Sequence, residues 1–240
     1  MLERLQSGAA ALGCELSEAQ VSLFEQFRVA LLDWNQRVNL TSIVDPDEVE
    51  LRHFLDSLTV LAAIERASTS NASPRIIDIG SGAGLPGVPL AIVLPQSHVT
   101  LLEATGKKVT FLSHLVELLA LRNVDVLLGR AEERGHERAH RESYDLVVAR
   151  AVAPLPALAE LCLPFAAIGG RFVALKKGDI SDELALAAVS FARLGGTPAR
   201  MVRVSPELFP DDRCLIVSNK QSPTPLRYPR RPGMPAQHPL

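Results

Sequence analysis

The chain has 240 residues, of which 47% are hydrophobic and 22% are charged, with a formal net charge of −2. This length allows one α/β domain plus an extension, and the composition is typical of a globular protein with a sizeable core. The charge excludes binding of nucleic acid by overall attraction, so any polyanionic partner must meet a local basic patch.

The three cysteines, Cys14, Cys162 and Cys214, lie far apart and form no C-x-x-C pair or Cys/His cluster. This pattern predicts a reducing compartment, no disulfide framework and no metal site. The first residues lack a signal-peptide pattern, and no apolar run approaches the length that spans a bilayer. We therefore expect a cytoplasmic protein with no membrane partner and no bound metal.

Residues 1–73 predict a helical extension without strands. Ser17 and Gln20 have the spacing of a capping box, and apolar residues follow on one helical face at Leu23, Phe27, Ala30, Leu31 and Trp34. A second helix is predicted from Asp45 to Ile64, because the acidic residues that open it suit a helix N-terminus. The polar composition of residues 68–74 predicts a linker.

Strands and helices alternate over residues 74–220, which predicts one domain with a mostly parallel sheet. Five strands are predicted at 75–79, 98–103, 124–128, 144–149 and 171–176. Helices are predicted at 85–94, 106–121, 131–139, 154–166 and 181–194. The segments 200–204 and 213–219 have no long helix between them, so they predict an antiparallel pair at the sheet edge.

Residues 221–240 form a predicted Pro-rich basic tail. Six prolines within residues 222–240 argue against a regular element, so the tail is expected to be loose or laid across the surface. Its cations, Arg227, Arg230 and Arg231, are accompanied by no acidic residue, which makes the tail a candidate basic patch.

The most distinctive segment is the glycine-rich turn that follows the first strand, with glycines at 80, 82, 84 and 87. Such a turn brings bare N–H groups and a helix N-terminus close to a ligand, which predicts a nucleotide-like cofactor. Residues 82–87 have the G-x-G-x-x-G spacing of a dinucleotide site. Residues 80–84, preceded by Asp78, instead resemble motif I of S-adenosylmethionine-dependent methyltransferases.

Asp78 separates the two interpretations. In a dinucleotide site the first glycine of the motif follows the strand directly, and in this chain that glycine is Gly80. Counted from Gly80, the last position of G-x-G-x-x-G is Leu85, which is not a glycine. A carboxylate at the strand end would repel a pyrophosphate but could anchor a cationic ligand, directly or through water. The turn and the late antiparallel pair therefore favour a methyltransferase. A nicotinamide-dependent oxidoreductase and an RNA-holding module without catalysis stay open as alternatives.

Further candidate residues end the later strands. Glu103 lies about twenty residues beyond the turn, where an acid accepts the ribose hydroxyls of an adenosine. Ala131 and Glu132 follow the third strand, where a backbone N–H and a carboxylate can bond an adenine. Arg150 and Lys176 end the next two strands at the same edge and can pair with a cofactor carboxylate or an RNA phosphate.

The helical extension holds three further polar candidates, Asn39, His53 and Asp56, beside apolar stripes. Periodicity alone does not separate a substrate role for them from a role as helix caps and a structural histidine.

Taken together, these segments resemble the RsmG family of 16S ribosomal RNA guanine-N7 methyltransferases, also called glucose-inhibited division protein B. The matching segments are 34–41, 52–57, 78–87, 102–108, 130–133, 150–151, 174–176 and 228–235. They follow in order over nearly the whole chain, which makes the joint match far more specific than the glycine turn. Two positions depart from the family pattern: the family often has Asp at Glu103, and usually a single Lys where this chain has Lys176 and Lys177.

The resemblance implies a class I S-adenosylmethionine-dependent methyltransferase: a Rossmann-like α/β fold with a mostly parallel seven-stranded sheet, an antiparallel edge strand and an N-terminal helical extension. It implies methyl transfer from S-adenosylmethionine to N7 of a guanine in the 530-loop of 16S rRNA, leaving S-adenosylhomocysteine. The expected partner is 16S rRNA, within a partly assembled small ribosomal subunit, and the protein is expected to be a monomer.

The resemblance also implies the site residues. The expected cofactor-binding residues are Asp78, Gly80, Ser81, Gly82, Leu85, Glu103, Ala104, Thr105, Ala131, Glu132 and Arg150. No catalytic residue is assigned, and the candidates are Asn39, His53, Asp56 and Lys176. The expected RNA-binding residues are Lys176, Arg227, Arg230 and Arg231.

The chemistry of this reaction limits what the site must contain. Guanine N7 carries an in-plane lone pair and no proton, so its attack on a sulfonium methyl group requires no general base. Alignment of the reacting atoms and exclusion of water can then account for catalysis, without a cysteine nucleophile or a metal. Positive charge develops on the purine, which favours a nearby carboxylate, and Asp56 is the candidate.

Overall fold

The computed structural model describes residues 2–64, 73–209 and 211–240, and its centre is a seven-stranded sheet in the order β3-β2-β1-β4-β5-β7-β6. The strands are β1 Arg75–Ile79, β2 His98–Glu103, β3 Val124–Leu128, β4 Tyr144–Arg150, β5 Ala166–Lys177, β6 Arg200–Arg203 and β7 Arg213–Asn219. Strands β1 to β5 pair in parallel, whereas β7 is antiparallel to both of its neighbours. The predicted linker at 68–74 lies, apart from its last two residues, outside the described residues.

Helices precede the sheet and cover both of its faces. Those at least seven residues long are α1 Glu3–Ala11, α2 Glu18–Asn35, α5 Gly87–Val93, α6 Gly106–Leu118, α8 Leu155–Cys162 and α9 Ser181–Arg193. The shorter ones are α3 Pro46–Val49, α4 Asp56–Leu58, α7 Ala131–Arg134 and α10 Met234–Gln237. In the parts of the chain described, none of the helices has the length and apolar character needed to cross a membrane.

The predicted alternation of strands and helices is confirmed, including the capping box of Ser17 and Gln20 at the start of α2. Two predicted elements differ most in extent. The helix expected at 131–139 stops at Arg134, and β5 begins at Ala166, five residues earlier than expected. The antiparallel pair predicted from 200–204 and 213–219 is confirmed at the edge of the sheet, where β6 is the outermost strand and β7 lies second from the edge.

The helix predicted from Asp45 to Ile64 is confirmed as one continuous helical segment from Pro46 to Ala63, but it is not a regular α-helix. Asp45 caps α3 as expected, but a π-helical turn, Glu50–Leu55, follows, and a 3-10 turn, Thr59–Ala63, ends the segment. No helix-breaking residue lies inside it, so tertiary contacts decide its shape: Glu50 accepts a hydrogen bond from the Leu5 N–H at 2.6 Å, and Asp56 pairs with side chains of the sheet. Such π turns are frequent at functional sites.

Two apolar clusters pack on the two faces of the sheet. The N-terminal helices share one cluster with α5 and α6, and within it the ring of Phe54 lies 5.2 Å from that of Phe24 and 5.0 Å from that of Phe27. The other cluster contains α8, α9 and Tyr228 of the tail. The extension and the tail are therefore both part of the folded core.

The tail is laid against the protein, which is one of the two expected arrangements, but the expectation that it contains no regular element is wrong. Residues 234–237 form α10, and Tyr228 is only 3% exposed. The prolines prevent a long helix or strand, but side-chain hydrogen bonds from the sheet domain hold the segment in place, as described below.

The aromatic cluster gives a first test. Replacing Phe54 by alanine removes a ring that is fully buried between two other rings, so we expect the free energy of unfolding to fall by roughly 3–5 kcal/mol in urea titrations. Val29→Ala is the control, because this side chain lies on the outer face of α2 and is 60% exposed. Equal losses in both variants would contradict the packing of the extension described above.

Candidate cofactor and substrate site

Two adjoining cavities lie at the carboxyl ends of the parallel strands. The larger, about 690 Å³, is bounded by the π-helical turn, the glycine turn and the ends of β4 and β5. The smaller, about 300 Å³, is bounded by Glu103, Ala104, Ala131 and Glu132. Gly80, Lys108 and Ala151 line both cavities. One elongated ligand can therefore occupy both.

The glycine turn differs from the sequence-based expectation, because its N–H groups are not bare. Gly80 and Ser81 donate to the Leu102 carbonyl at 2.8 and 3.1 Å, and Gly82 donates to Glu103 at 2.9 Å. Gly80, Gly82 and Gly84 take φ values of +70°, +57° and +83°, which glycine adopts without strain. With these donors engaged, the turn lacks the anion cradle that a pyrophosphate requires.

Asp78 lies beneath the turn and is fully buried. One carboxyl oxygen accepts a hydrogen bond from the Gly87 N–H at 2.8 Å, at the first residue of α5. The other oxygen has no hydrogen-bond partner among the described residues. Desolvation raises the pKa of Asp78 to about 7. Asp78 therefore caps α5 and blocks the helix N-terminus from an anionic ligand, and its burial rules out direct contact with solvent.

Glu103 ties the turn to the start of α6. Its carboxylate is 6% exposed and accepts from the Gly82 N–H at 2.9 Å and from the Thr105 N–H at 2.8 Å. Both donors fix the orientation of the carboxylate, and each oxygen keeps a lone pair for a hydroxyl group. This geometry fits a ribose, and it also places Ala104 on the wall of the smaller cavity.

The remaining expected cofactor residues divide between the two cavities. Ser81 and Leu85 are almost fully buried and line the larger one. Ala131 and Glu132 open α7 beside the smaller one. The carboxylates of Glu103 and Glu132 give the smaller cavity acceptors for amine and hydroxyl donors.

Arg150, Asp56 and Arg213 form an ion-pair bridge in the larger cavity. The Asp56 carboxylate, whose side chain is 3% exposed, accepts from Arg150 at 3.0 Å and from Arg213 at 2.7 Å. Arg150 also donates to the Arg52 carbonyl at 3.1 Å. Both oxygens of Asp56 are thus engaged by guanidinium groups, which argues against the expectation that Asp56 faces a positively charged purine.

His53 lies beside this bridge and is 6% exposed. Its Nε2 is 2.7 Å from the Thr41 hydroxyl, and its Nδ1 is 3.1 Å from the Arg52 carbonyl. The tautomer with a proton on Nδ1 satisfies these two contacts, since the hydroxyl then donates to Nε2, while the longer contact of 3.4 Å between Nδ1 and Arg150 is then not a hydrogen bond. Burial, followed by the charge of Arg150, lowers the pKa of His53 to about 4. At neutral pH this histidine is uncharged.

The larger cavity is strongly basic. Lys176 donates to Glu183 at 2.6 Å and to the Ala153 carbonyl at 3.2 Å, and Lys177 is exposed beside it. The basic residues that line the cavity are Arg52, Lys108, Arg150, Lys176, Lys177 and Arg213, against the carboxylates of Asp56 and Glu183. A near-neutral protein therefore carries a concentrated positive site.

Arg213 was not singled out from the sequence. It begins β7 and pairs in register with Lys177 at the end of β5. Because β7 is antiparallel, its first residue lies at the edge where the parallel strands end. The predicted antiparallel pair was thus the available signal for this residue.

Several expected RNA-side residues lie outside the two cavities. Asn39 is exposed and lines neither, although its neighbours Leu40 and Thr41 do. Arg227 and Arg231 are exposed on the tail, away from both cavities. The guanidinium of Arg230 is held by the buried Glu160 at 2.6 Å, so it is not free for a phosphate.

The strand order, the glycine turn after β1 and the carboxylate that ends β2 together define a class I S-adenosylmethionine-dependent methyltransferase fold. A solved S-adenosylmethionine-dependent methyltransferase from Aquifex aeolicus matches with a TM-score of 0.52 and 16% identity, over 75% of this chain and 96% of that one. A predicted O-methyltransferase from Agrobacterium tumefaciens matches with a TM-score of 0.52 and 20% identity, over 65% and 77%. These similarities concern the fold.

The sequence comparisons define the family. The sequence model of GidB, described as rRNA small subunit methyltransferase G, matches residues 20–208. Proteins named ribosomal RNA small subunit methyltransferase G are 46% identical in Roseiflexus castenholzii and 43% identical in Dehalococcoides mccartyi, over the full length of both chains. The protein of that name from Halalkalibacterium halodurans is 40% identical over 95% of this chain and 94% of its own. The chain belongs to the rRNA small subunit methyltransferase G family.

Family membership resolves the alternatives left by the glycine spacing. The oxidoreductase interpretation is wrong, and the engaged N–H groups of the turn give the physical reason, because a dinucleotide pyrophosphate would find no free donors at Gly80, Ser81 or Gly82.

The burial of Asp78 has a consequence for stability. Its pKa is higher in the folded chain than in the unfolded chain, so the folded state binds an extra proton between pH values of about 4 and 7. The stability that this proton contributes falls as the pH rises through that range. Across this pH range we expect the unfolding free energy of the wild type to fall by roughly a few kcal/mol relative to that of Asp78→Asn.

The difference between variants is the quantity to measure, because His53 acts in the opposite direction. Its lowered pKa makes stability rise with pH between about 4 and 6.5, equally in both proteins. Denaturant titrations at several pH values provide the measurement, with Asp212→Asn, an exposed position, as control. A pH-independent difference for Asp78→Asn would show that the buried carboxyl group does not titrate in this range.

Proposed function

We propose that this protein transfers the methyl group of S-adenosylmethionine to N7 of a guanine in the 530-loop of 16S rRNA, and that S-adenosylhomocysteine is the product. Membership of the family supports methylation of small-subunit rRNA, and the resemblance of the motifs supports the nucleotide. The observation that carries the proposal is the pair of joined cavities, one with acceptors for an adenosine and one lined by cations.

The adenosine part of the cofactor fits the smaller cavity. The two oriented oxygens of Glu103 would accept the ribose hydroxyls, while the Ala131 N–H and the Glu132 carboxylate would bond the adenine. The methionine part would extend past Gly80 into the larger cavity, where Arg150 is positioned for its carboxylate. This arrangement directs the sulfonium toward the basic side of the site.

The size and the charge of the larger cavity suit a purine base that has been flipped out of its stack. Its volume of about 690 Å³ exceeds what the methionine part requires, and its cations can meet the flanking phosphates. The carboxylates of Asp56 and Glu183 are held in ion pairs, and the neutral His53 is held by Thr41, so none of the three is placed as a general base. Attack by N7 needs none, so this chain's own residues orient the purine and exclude water.

The local charge also supports the expected partner. An overall net charge of −2 gives no long-range attraction for free RNA, so binding depends on the cavity itself. A partly assembled small subunit, in which proteins fix the shape of the RNA, would present one loop to this site. We therefore propose the particle as the substrate.

Mapping the methylated nucleotide tests this function. Small subunits lacking the modification are incubated with the purified protein and tritiated S-adenosylmethionine, and nuclease fragments are analysed by mass spectrometry. We expect one methyl group on one guanine of the 530-loop, located at N7. A label elsewhere would contradict the proposed target, and binding without label would favour the RNA-holding module.

Matched variants tie the activity to the cofactor site. Glu103→Ala removes the ribose acceptor and should weaken cofactor binding at least about tenfold, since a charged hydrogen bond contributes roughly 1.5–3 kcal/mol. Glu133→Ala removes an exposed carboxylate and should leave the affinity unchanged. Isothermal titration provides both values.

A second prediction concerns the basic cavity. Lys177→Ala removes an exposed cation at the cavity wall, so we expect KM for small subunits to rise while kcat is little changed. The slope of log KM against log salt should fall by about one unit. Lys107→Ala is the control, because Lys107 is exposed but lines neither cavity. The same change in both variants would contradict the proposal that phosphates contact the cavity.

A further inference from the structure

The C-terminal segment, defined here as residues 221–240, is attached to the wall of the smaller cavity. Its strongest anchor is Arg230, whose N–H groups make several hydrogen bonds to Glu160 of α8, the shortest at 2.6 Å. Glu160 is completely buried, so this ion pair cannot be released without leaving a buried charge. The segment is therefore held as part of the fold.

A second set of contacts links the C-terminal segment to the chain that follows α7. Arg141 donates at 2.8 Å to the carbonyl of Tyr228 and at 2.9 Å to that of Gly135, which joins the two segments through one guanidinium. His136 lies 2.7 Å from the Pro229 carbonyl. The position of α7 thus depends on these links.

One contact reaches the ligand wall itself. The N–H of Gly233 donates to Oε1 of Glu132 at 3.0 Å. Among the described residues, the other oxygen of Glu132 has no hydrogen-bond partner, and Glu132 lines the smaller cavity beside Ala131. Gly233 takes a φ of +86°, which turns the chain into α10 with this N–H directed at the carboxylate. A carboxylate held by one oxygen presents the other in a fixed direction.

We propose that the C-terminal segment is a positioning element for cofactor recognition, in which Gly233 orients Glu132 so that its free oxygen accepts the exocyclic amine of the adenine. This inference rests on the proposed function, since it assumes that the smaller cavity holds an adenosine. It assigns the segment to cofactor selectivity, in place of the RNA contact expected from its basic residues.

The test compares two ligands: S-adenosylhomocysteine, and the same molecule with purine in place of adenine, which lacks only the amine. The wild type should prefer the first by about 10-fold to 100-fold, the range for one charged hydrogen bond. Truncation after Arg231 removes Gly233 and should bring this preference close to one. Truncation after Gln237 keeps Gly233 and α10 and should preserve it.

The ratio of the two dissociation constants separates positioning from loss of structure. A general weakening of the fold lowers both affinities alike and leaves the ratio unchanged, which would overturn the inference. In a Glu132→Ala background the preference should already be lost, and truncation after Arg231 should change it no further. A wild type that binds neither ligand would refute the proposed cofactor and, with it, the role of the segment.

Two substitutions in the full-length chain test the same proposal if the truncated chain does not fold. Arg230→Lys keeps the charge beside Glu160 but loses the guanidinium fork, so the segment is loosened and the preference should fall at least about threefold. Arg231→Lys is the matched control, an exposed neighbour with the same change, and should behave as the wild type. Equal preferences in the two variants would contradict the proposal.

Discussion

Two carboxylates hold the turn after β1, and the geometry of the site depends on them. Asp78 binds the first N–H of α5 from below, while Glu103 binds the N–H of Gly82 from the side and that of Thr105 at the start of α6. The glycines allow the backbone conformation, but these bonds select it. Because the N–H groups of Gly80, Ser81 and Gly82 are engaged within the protein, they are not free to bind an anionic ligand. The carboxylates of Glu103 and Glu132 in the smaller cavity suit hydroxyl and amine donors, whereas a pyrophosphate would lack donors at the turn.

The second constraint is the ion-pair bridge of Arg150, Asp56 and Arg213, which connects the N-terminal extension to β4 and β7. A buried carboxylate between two guanidinium groups is costly to separate, so it fixes the π-helical turn against the sheet. The same bridge leaves the cavity with an excess of positive charge. The side chains that attach the extension therefore also line the candidate substrate cavity.

At the opposite side of the site, the C-terminal segment shows how composition alone misleads. Its arginines and prolines are typical of a loose, RNA-binding tail, yet Arg230 forms an ion pair with the buried Glu160 and Tyr228 lies in the core. The cations that surround the candidate substrate cavity come instead from strand ends, from the start of α6 and from the extension. Charge in a sequence identifies a binding patch only when its partners in the fold are known.

The sequence by itself determined the order of strands and helices, the glycine turn, and Glu103, Arg150 and Lys176 as strand-end residues, because hydrophobic periodicity and turn chemistry are local properties. It also indicated the family, through motifs spread along the chain. Only the tertiary structure decided the π-helical turn at His53, the engagement of Asp56 by Arg213, and the contact of Gly233 with Glu132. The last two join residues far apart in the chain, and long-range contacts of Glu50 and Asp56 accompany the π-helical turn. Such pairings depend on how the layers pack, which local patterns do not encode.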